Sequence, residues 1–379
     1  MKPLIFENAE IVTAEAQFRG YLVCLGSKIV EMGEGNPPEA GQDCGGDYLL
    51  PGLVELHTDH LEVHFMPRPR VEWPALPAVL AHDAQVIGGG ITTVFDALRV
   101  GNDYDDEKFG ARMSRLAAAV AEAKTRGVTR AEHFLHLRCE ISCSDIVDEM
   151  KPFLTDPNLR LVSVMDHTPG QRQFTDVSKW KIYYAGRKGA SEAEMDARIL
   201  RRRAIFEQYG EANRRAVVEL CHAHGIAIAS HDDTTIAHVD ESIRDGMHIA
   251  EFPTTTEAAL ASHKAGMKVM MGAPNVVRGG SHSGNVSAKA LAEDGILDAL
   301  SSDYVPSSLL MGAFALADVK AVGGLPGAIR LVTKTPAEAA GLTDRGEIAR
   351  GKRADLIRVS LEHGQPVVRE AWREGRRVS

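Results

Sequence analysis

The run Pro51-Gly52-Leu53-Val54-Glu55-Leu56-His57-Thr58-Asp59-His60 delivers a histidine and an aspartate two residues apart at the end of a short apolar stretch. In an extended strand, side chains at i and i+2 leave the same face. The spacing therefore predicts that His57 and Asp59 point together while Val54, Leu56 and Thr58 point the other way. One imidazole and one carboxylate converging on a point suit Zn, Mn or Fe, and a hydrogen bond between the two at a strand end would use the same spacing. More acids and imidazoles end other apolar runs: Glu140, Asp166-His167, His231-Asp232-Asp233 and Ser301-Ser302-Asp303. Charged groups crowded together are costly unless paired or metal-bound. His57, Asp59, Glu140, His167, His231 and Asp303 are accordingly read as ligands for two divalent metal ions, Zn with Mn or Fe as alternatives, with Glu140 able to bridge them. Such ions bring the pKa of a shared water towards neutrality, and Asp303 is the candidate catalytic base that takes its proton, so hydrolysis is the expected chemistry. A strand-end cap for the next helix is the plainer role for Asp303.

These residues can meet only if the chain brings the strand ends to one rim. Candidate strands at 53–57, 91–96, 133–140, 161–167, 226–231, 247–252, 268–271 and 296–302 alternate with helical patterns. The helices are expected at 112–126 closed by Gly127, at 191–224 in two pieces around Gly210 with Ser191 and Glu194 as a capping box, and at 255–265 closed by Gly266 with Thr254 and Glu257 as its box. Eight β-α units over this length predict an α/β fold, a closed (β/α)8 TIM-like barrel whose chemistry lies at the C-terminal strand ends. Residues 1–50 and 346–379 have a strand-and-turn texture instead. They are expected to form one small composite β-domain, leaving 51–345 as the barrel. Alternation along 132–140 turns His136, Arg138 and Glu140 inward, and along 226–230 it places Ala227 and Ala229 on the face of His231.

A second theme is anion binding. The glycine-rich 272–285 segment follows the seventh strand, where barrels often hold phosphate, and carries Arg278, Ser281, His282 and Ser283. Arg68 and Arg172 lie in two other loops of the same rim, so these six residues are the candidate phosphate ligands of a polyanionic substrate. The net charge of -9, without a basic arm, excludes nucleic acid as a general partner. No apolar run is long enough for a membrane span and no secretory design opens the chain, which places it in the cytoplasm. The five cysteines lack zinc-site spacing and are read as reduced packing residues. His60, His64, His82, His133 and His136 receive no metal role, being read as surface or core histidines.

His57-Thr58-Asp59 after Pro51-Gly52, the later His231, the eighth-strand Asp303 and the closing Gly351-Lys352-Arg353-Ala354-Asp355-Leu356 resemble the amidohydrolase superfamily. The resemblance implies a metal-dependent barrel hydrolase with a small β-sandwich formed from both chain ends. Asp59 departs from the superfamily's more common His-x-His, and Glu140 stands where many members carry a carboxylated lysine. Longer stretches, among them 165–174, 251–255 and 271–285, are similar to a phosphoanhydride-cleaving branch of that superfamily acting in phosphonate breakdown. This implies hydrolysis of a ribose 5-triphosphate bearing a phosphonate at carbon 1, releasing diphosphate. It also implies partners limited to that substrate, further copies of the chain and transient contacts with other enzymes of the pathway. The alternatives are hydrolysis of a cyclic amide or amine bond on the same fold, and a non-catalytic scaffold.

Overall fold

A computed structural model describes residues 2–69, 71–101, 109–174, 177–178, 180–181, 191–281 and 284–379. The first strands are β1 (Leu4–Val12), β2 (Gln17–Leu25), β3 (Lys28–Glu34), β4 (Gln42–Asp43) and β5 (Tyr48–Pro51). Then come β6 (Leu53–Thr58), β7 (Ile91–Val100), β8 (Glu132–Glu140), β9 (Leu159–Met165), β10 (Ala227–His231), β11 (Ile249–Glu251), β12 (Lys268–Gly272) and β13 (Ala299–Ser301). These eight run parallel in sequence order from β6 to β13, at the places the apolar runs predict. The ring closes where Thr58 bridges Asp303 and the Asp303 N–H donates to the His57 carbonyl at 3.2 Å. At the other end Leu331 and Val332 fill the seam, accepting from Leu300 and Val54 at 2.9 Å each.

Side-chain alternation sorts the barrel wall into two cores. Val54, Leu56, Phe95, Phe134, Leu161, Ala229, Ile249, Met270 and Ala299 fill the lumen. Leu53, Val94, Leu98, Leu135, Leu137 and Cys139 instead pack outward against the helices. β8 and β10 therefore face as expected, but β6 does not, since Val54 and Leu56 point inward. Register shifts between Leu53 and Val54 and between Glu55 and Thr58 interrupt the alternation there. An extra residue rotates the following side chain, and His57 reaches the lumen by this route.

The helix expected in two pieces around Gly210 is one continuous 33-residue helix, Glu192–His224, with the Ser191–Glu194 capping box in place. Gly210 stays helical because it is a contact position: a Cβ there would meet the Phe206 ring at 2.5 Å. The later helix, Thr256–Lys264, is capped by Thr255 rather than Thr254, whose hydroxyl bonds Thr234 instead. All five cysteines are buried.

The chain ends meet in a second sheet. β14 (Leu356–Glu362), β15 (Gln365–Arg373) and β16 (Arg376–Arg377) join β5, β1, β2 and β3 through the β14–β5 pair, with β4 on β1. It is one hydrogen-bonded sheet that curls on itself, for Ile29 donates to Lys352 at 3.0 Å and Gly351 to Ile29 at 2.8 Å. Phe6 and Trp372 meet edge to face at 4.7 Å in its core.

A carboxylate ties this sheet to the barrel. Glu132, at the start of β8, accepts from Arg345 and Arg353 at 2.6 Å each. Burial would raise its pKa, but the two guanidinium groups outweigh burial and hold it down to about 2. Because the folded pKa is depressed, this stabilisation is complete above the ordinary carboxyl range and is lost as pH falls through about 2. Glu132→Gln takes the shared charge partner from two buried guanidinium groups, leaving Arg345 with Asp344 and Arg353 with Asp355. Chemical denaturation at pH 7 is expected to show a loss of about 2–4 kcal/mol, with a flatter acid limb than the wild type.

Candidate metal centre

Three histidines present one ring nitrogen to a carboxylate and keep the other for something else. Glu251, at the end of β11, accepts from His57 Nδ1 at 2.7 Å through one oxygen and from His231 Nδ1 at 2.6 Å through the other. Glu140, at the end of β8, accepts from His167 Nδ1 at 2.7 Å and from the His167 backbone N–H at 3.1 Å. A carboxylate can only accept here, so each Nδ1 carries the proton and each Nε2 carries a lone pair. The rings are neighbours: His57 and His231 stack at 5.9 Å, and His167 meets His231 edge-on at 5.6 Å.

Asp232 completes the group. It follows His231 in a left-handed conformation, φ 57°, which turns its carboxylate back to the strand end. Its Oδ2 lies 3.4 Å from His231 Nε2 and 3.6 Å from His167 Nε2, yet is buried without a hydrogen-bond partner. Two imidazole nitrogens and an orphaned carboxylate oxygen within 4.8 Å of one another fit a divalent transition metal; His57, His136 and Glu251 crowd together beside them, with both Glu251 oxygens and both His136 nitrogens already hydrogen-bonded. Electrostatics agree with an anionic cage. Burial alone would raise Glu251 and Glu140, but the facing histidines outweigh it and hold both well below the usual carboxylate range. Burial depresses His167, but Glu140 and Asp232 outweigh it and hold this imidazole above its usual range.

Asp303 and Asp59 lie at the seam. Asp303 follows β13 with φ 54°, and burial followed by the nearby Asp59 pushes its carboxyl up to about 8, with Arg138 opposing. Asp59 is partly exposed, and Arg138 Nη1 reaches its Oδ2 at 3.6 Å. Neither belongs to the two clusters. Glu55, fully buried beneath them, accepts from the backbone N–H groups of His57 and Ser302 and so fixes both strand ends.

The strand ends thus bring His57, His167 and His231 together, with Glu140, Asp303 and Asp59 beside them. The bridge expected of Glu140 is not the arrangement found, because its oxygens are engaged by His167 and by Ser142 Oγ at 2.7 Å. Glu251, in the 251–255 stretch that contributes to the resemblance, has no role assigned by the sequence reading. Its signal was a carboxylate sharing the inward face of Ile249 at the end of the sixth strand. Asp232 stood in the His-Asp-Asp run without a role. His136 keeps no free nitrogen, since Nδ1 bonds the Leu56 carbonyl at 2.8 Å and Nε2 bonds Ser163 Oγ.

The phosphate ligands fare less evenly. Arg172 is corrected: its guanidinium is buried and paired with Asp233 and, at 2.9 Å, with Glu241, so it braces the wall of the site. Arg68 and Arg278 are exposed and Ser281 is half-buried, whereas His282 and Ser283 lie outside the described residues. Two arginines not assigned to phosphate do face the lumen. Arg138 approaches Asp59 as described, and Arg99 Nη2 lies 3.7 Å from Glu140 Oε2.

A parallel barrel with histidines and carboxylates gathered at its C-terminal rim, and a sheet drawn from both chain ends, defines a class. The amidohydrolase family profile matches residues 90–378, and the chain belongs to that family. Family membership carries divalent-metal use. The chain is 46% identical over 378 residues to the α-D-ribose 1-methylphosphonate 5-triphosphate diphosphatase of Escherichia coli (strain K12), covering 99% of this chain and 100% of that one. Among solved structures, a 5-methylcytosine deaminase from Klebsiella pneumoniae superposes with TM-score 0.66 at 15% identity, covering 99% of this chain and 98% of that one. An N-acetyl-D-glucosamine-6-phosphate deacetylase mutant from Mycobacterium smegmatis gives 0.63 at 16%, with both chains covered completely. At such identities these two structures speak for the fold alone.

Proposed function

We propose that this chain is a metal-dependent hydrolase that cleaves α-D-ribose 1-methylphosphonate 5-triphosphate to the 5-phosphate and diphosphate, in the cytoplasm, during phosphonate catabolism. The observation that carries the reading is the 46% identity running end to end through both chains, which leaves no segment of the relative without a counterpart. Among the described residues no helix is long and apolar enough to cross a membrane.

His57, His167 and His231, through their Nε2 atoms, with Asp232 and the rim carboxylates Asp59 and Asp303, would hold two divalent ions, Zn being the choice that imidazole and carboxylate donors favour. Such ions supply Lewis acidity and neutralise phosphate charge. The chain's own groups do the rest. Glu251 and Glu140 fix tautomer and orientation, so that no reorganisation is needed when charge develops. Asp303, poised near neutrality by burial, is suited to take a proton from the attacking water and return it to the leaving diphosphate. Arg99 and Arg138 project into the lumen where a polyanion must enter, and Arg278 and Arg68 extend that positive surface to the rim.

The deciding assay is steady-state release of diphosphate from the ribose triphosphate, run beside a panel of cyclic amides. Turnover confined to the triphosphate is the expected result. Turnover confined to an amide would overturn it in favour of the chemistry of other barrel hydrolases.

A further inference from the structure

A second group of imidazoles lies on the opposite side of the barrel wall from the lumen. His60 stands at the N-cap of the short helix Leu61–Phe65 and His64 in its last turn, four residues apart and therefore on one face, and His82 comes from the helix Ala75–Gly88. Their ring centroids are 4.9, 5.7 and 6.1 Å apart in the pairs His60–His64, His60–His82 and His64–His82. One ring nitrogen from each lies within 4.8 Å of the other two.

The protons on two of these rings are committed elsewhere. His82 Nε2 is 2.9 Å from Asp96 Oδ1, so it donates to that carboxylate and Nδ1 keeps the lone pair. His64 Nε2 is 2.9 Å from the side-chain oxygen of Gln85, which leaves its Nδ1 as the second lone pair. His60 Nδ1 and His82 Nδ1 are both buried with no hydrogen-bond partner. Buried acceptors left unsatisfied are costly, and lone pairs facing one another cannot satisfy themselves. A divalent transition metal resolves all three at once, whereas Mg and Ca prefer oxygen ligands.

The surroundings have the form of a metal site's outer layer. Asp96, which holds His82, is itself gripped by His133 Nδ1 at 2.8 Å, and the far nitrogen of His133 lies 3.2 Å from Asp83. All four side chains of this relay, His82, Asp96, His133 and Asp83, are buried. Such carboxylate–histidine relays orient a metal-binding imidazole and raise its basicity. Asp96 and His133 alternate with the lumenal Phe95 and Phe134 along β7 and β8, which puts the relay on the helix side of the wall. His64 is the partly exposed member and gives the ion an entry path.

We propose that His60, His64 and His82 form a separate structural site for a Zn-type divalent ion outside the barrel lumen. The ion would staple the segment after β6, which carries Asp59, onto the helix that follows.

The test uses the intact protein loaded with zinc. Elemental analysis is expected to give one fewer zinc per chain in His64→Gln than in the wild type, whatever the total. Diphosphate release should stay within about threefold of the wild type, since His64 is no part of the lumenal centre. Asp96→Asn, which removes no ligand, is expected to weaken zinc uptake at this site by about 10–100-fold in a chelator competition. Anomalous scattering at the zinc edge from wild-type crystals supplies an answer independent of any variant's folding. A peak among the three imidazoles, distinct from those at the lumen, is expected. A zinc-loaded crystal with no peak there, or equal zinc counts in wild type and His64→Gln, would overturn the site and leave the lumenal centre untouched.

Discussion

Asp303→Asn should cut the rate of diphosphate release by about 10²–10⁴-fold while the metal content of the protein stays that of the wild type. The amide keeps the shape of the side chain and one oxygen able to face a cation, and it removes the charge and the capacity to take a proton. The position is unusual among the rim carboxylates, because burial and Asp59 push it up to about 8, far from the ordinary range of an aspartate. With a cation held beside it, the carboxyl would come back down, towards the value at which a general base is most useful near pH 7. Two measurements on one preparation decide the matter. Loss of metal along with activity would make Asp303 chiefly a ligand, and an unchanged rate would remove it from the proton path.

The second large effect is expected at a residue that touches no substrate. Glu251 is one carboxylate serving two histidines, His57 from the first barrel strand and His231 from the fifth, at 2.7 and 2.6 Å. Glu251→Gln offers one oxygen and one NH₂ group in the same space, so one of the two Nδ1–H groups must face a donor. That ring turns or changes tautomer, and its Nε2 lone pair is lost to the site. Single outer partners of metal-binding histidines are worth about 10–100-fold, and a shared partner should reach about 100-fold or more in metal affinity and in kcat/KM. Zinc titration of the variant against the wild type checks this directly. Retained affinity would mean that packing alone orients the two rings.

Much of the architecture could be read from apolar runs and their spacing, because burial in a parallel sheet dictates both the composition and the ends of each strand. The ends of β8 and β10 and the faces of Glu140 and His231 follow from simple alternation. The face of His57 does not, because two register shifts in β6 bring it inward against the alternation that sends Val54 and Leu56 to the lumen. Bulges leave little local trace in a sequence. Glu251 carries little signal because β11 has only three residues, too few to display an alternation. Arg172 misled for another reason. An arginine in a loop is read as solvated by default, and nothing near it in the chain announces Asp233 or Glu241, which are 61 and 69 positions away.

The pairing of β5 with β14 has a consequence for biosynthesis. Tyr48–Pro51 leaves the ribosome before the barrel, but its hydrogen-bonding neighbour, Leu356–Glu362, is made only after it. The strands before the barrel must therefore wait, partly unpaired, through synthesis of the whole barrel, and their exposed edge is open to off-pathway association until β14 is made. Slow ribosomes or C-terminal truncations should consequently reduce the yield of folded protein far more than the few missing residues would suggest.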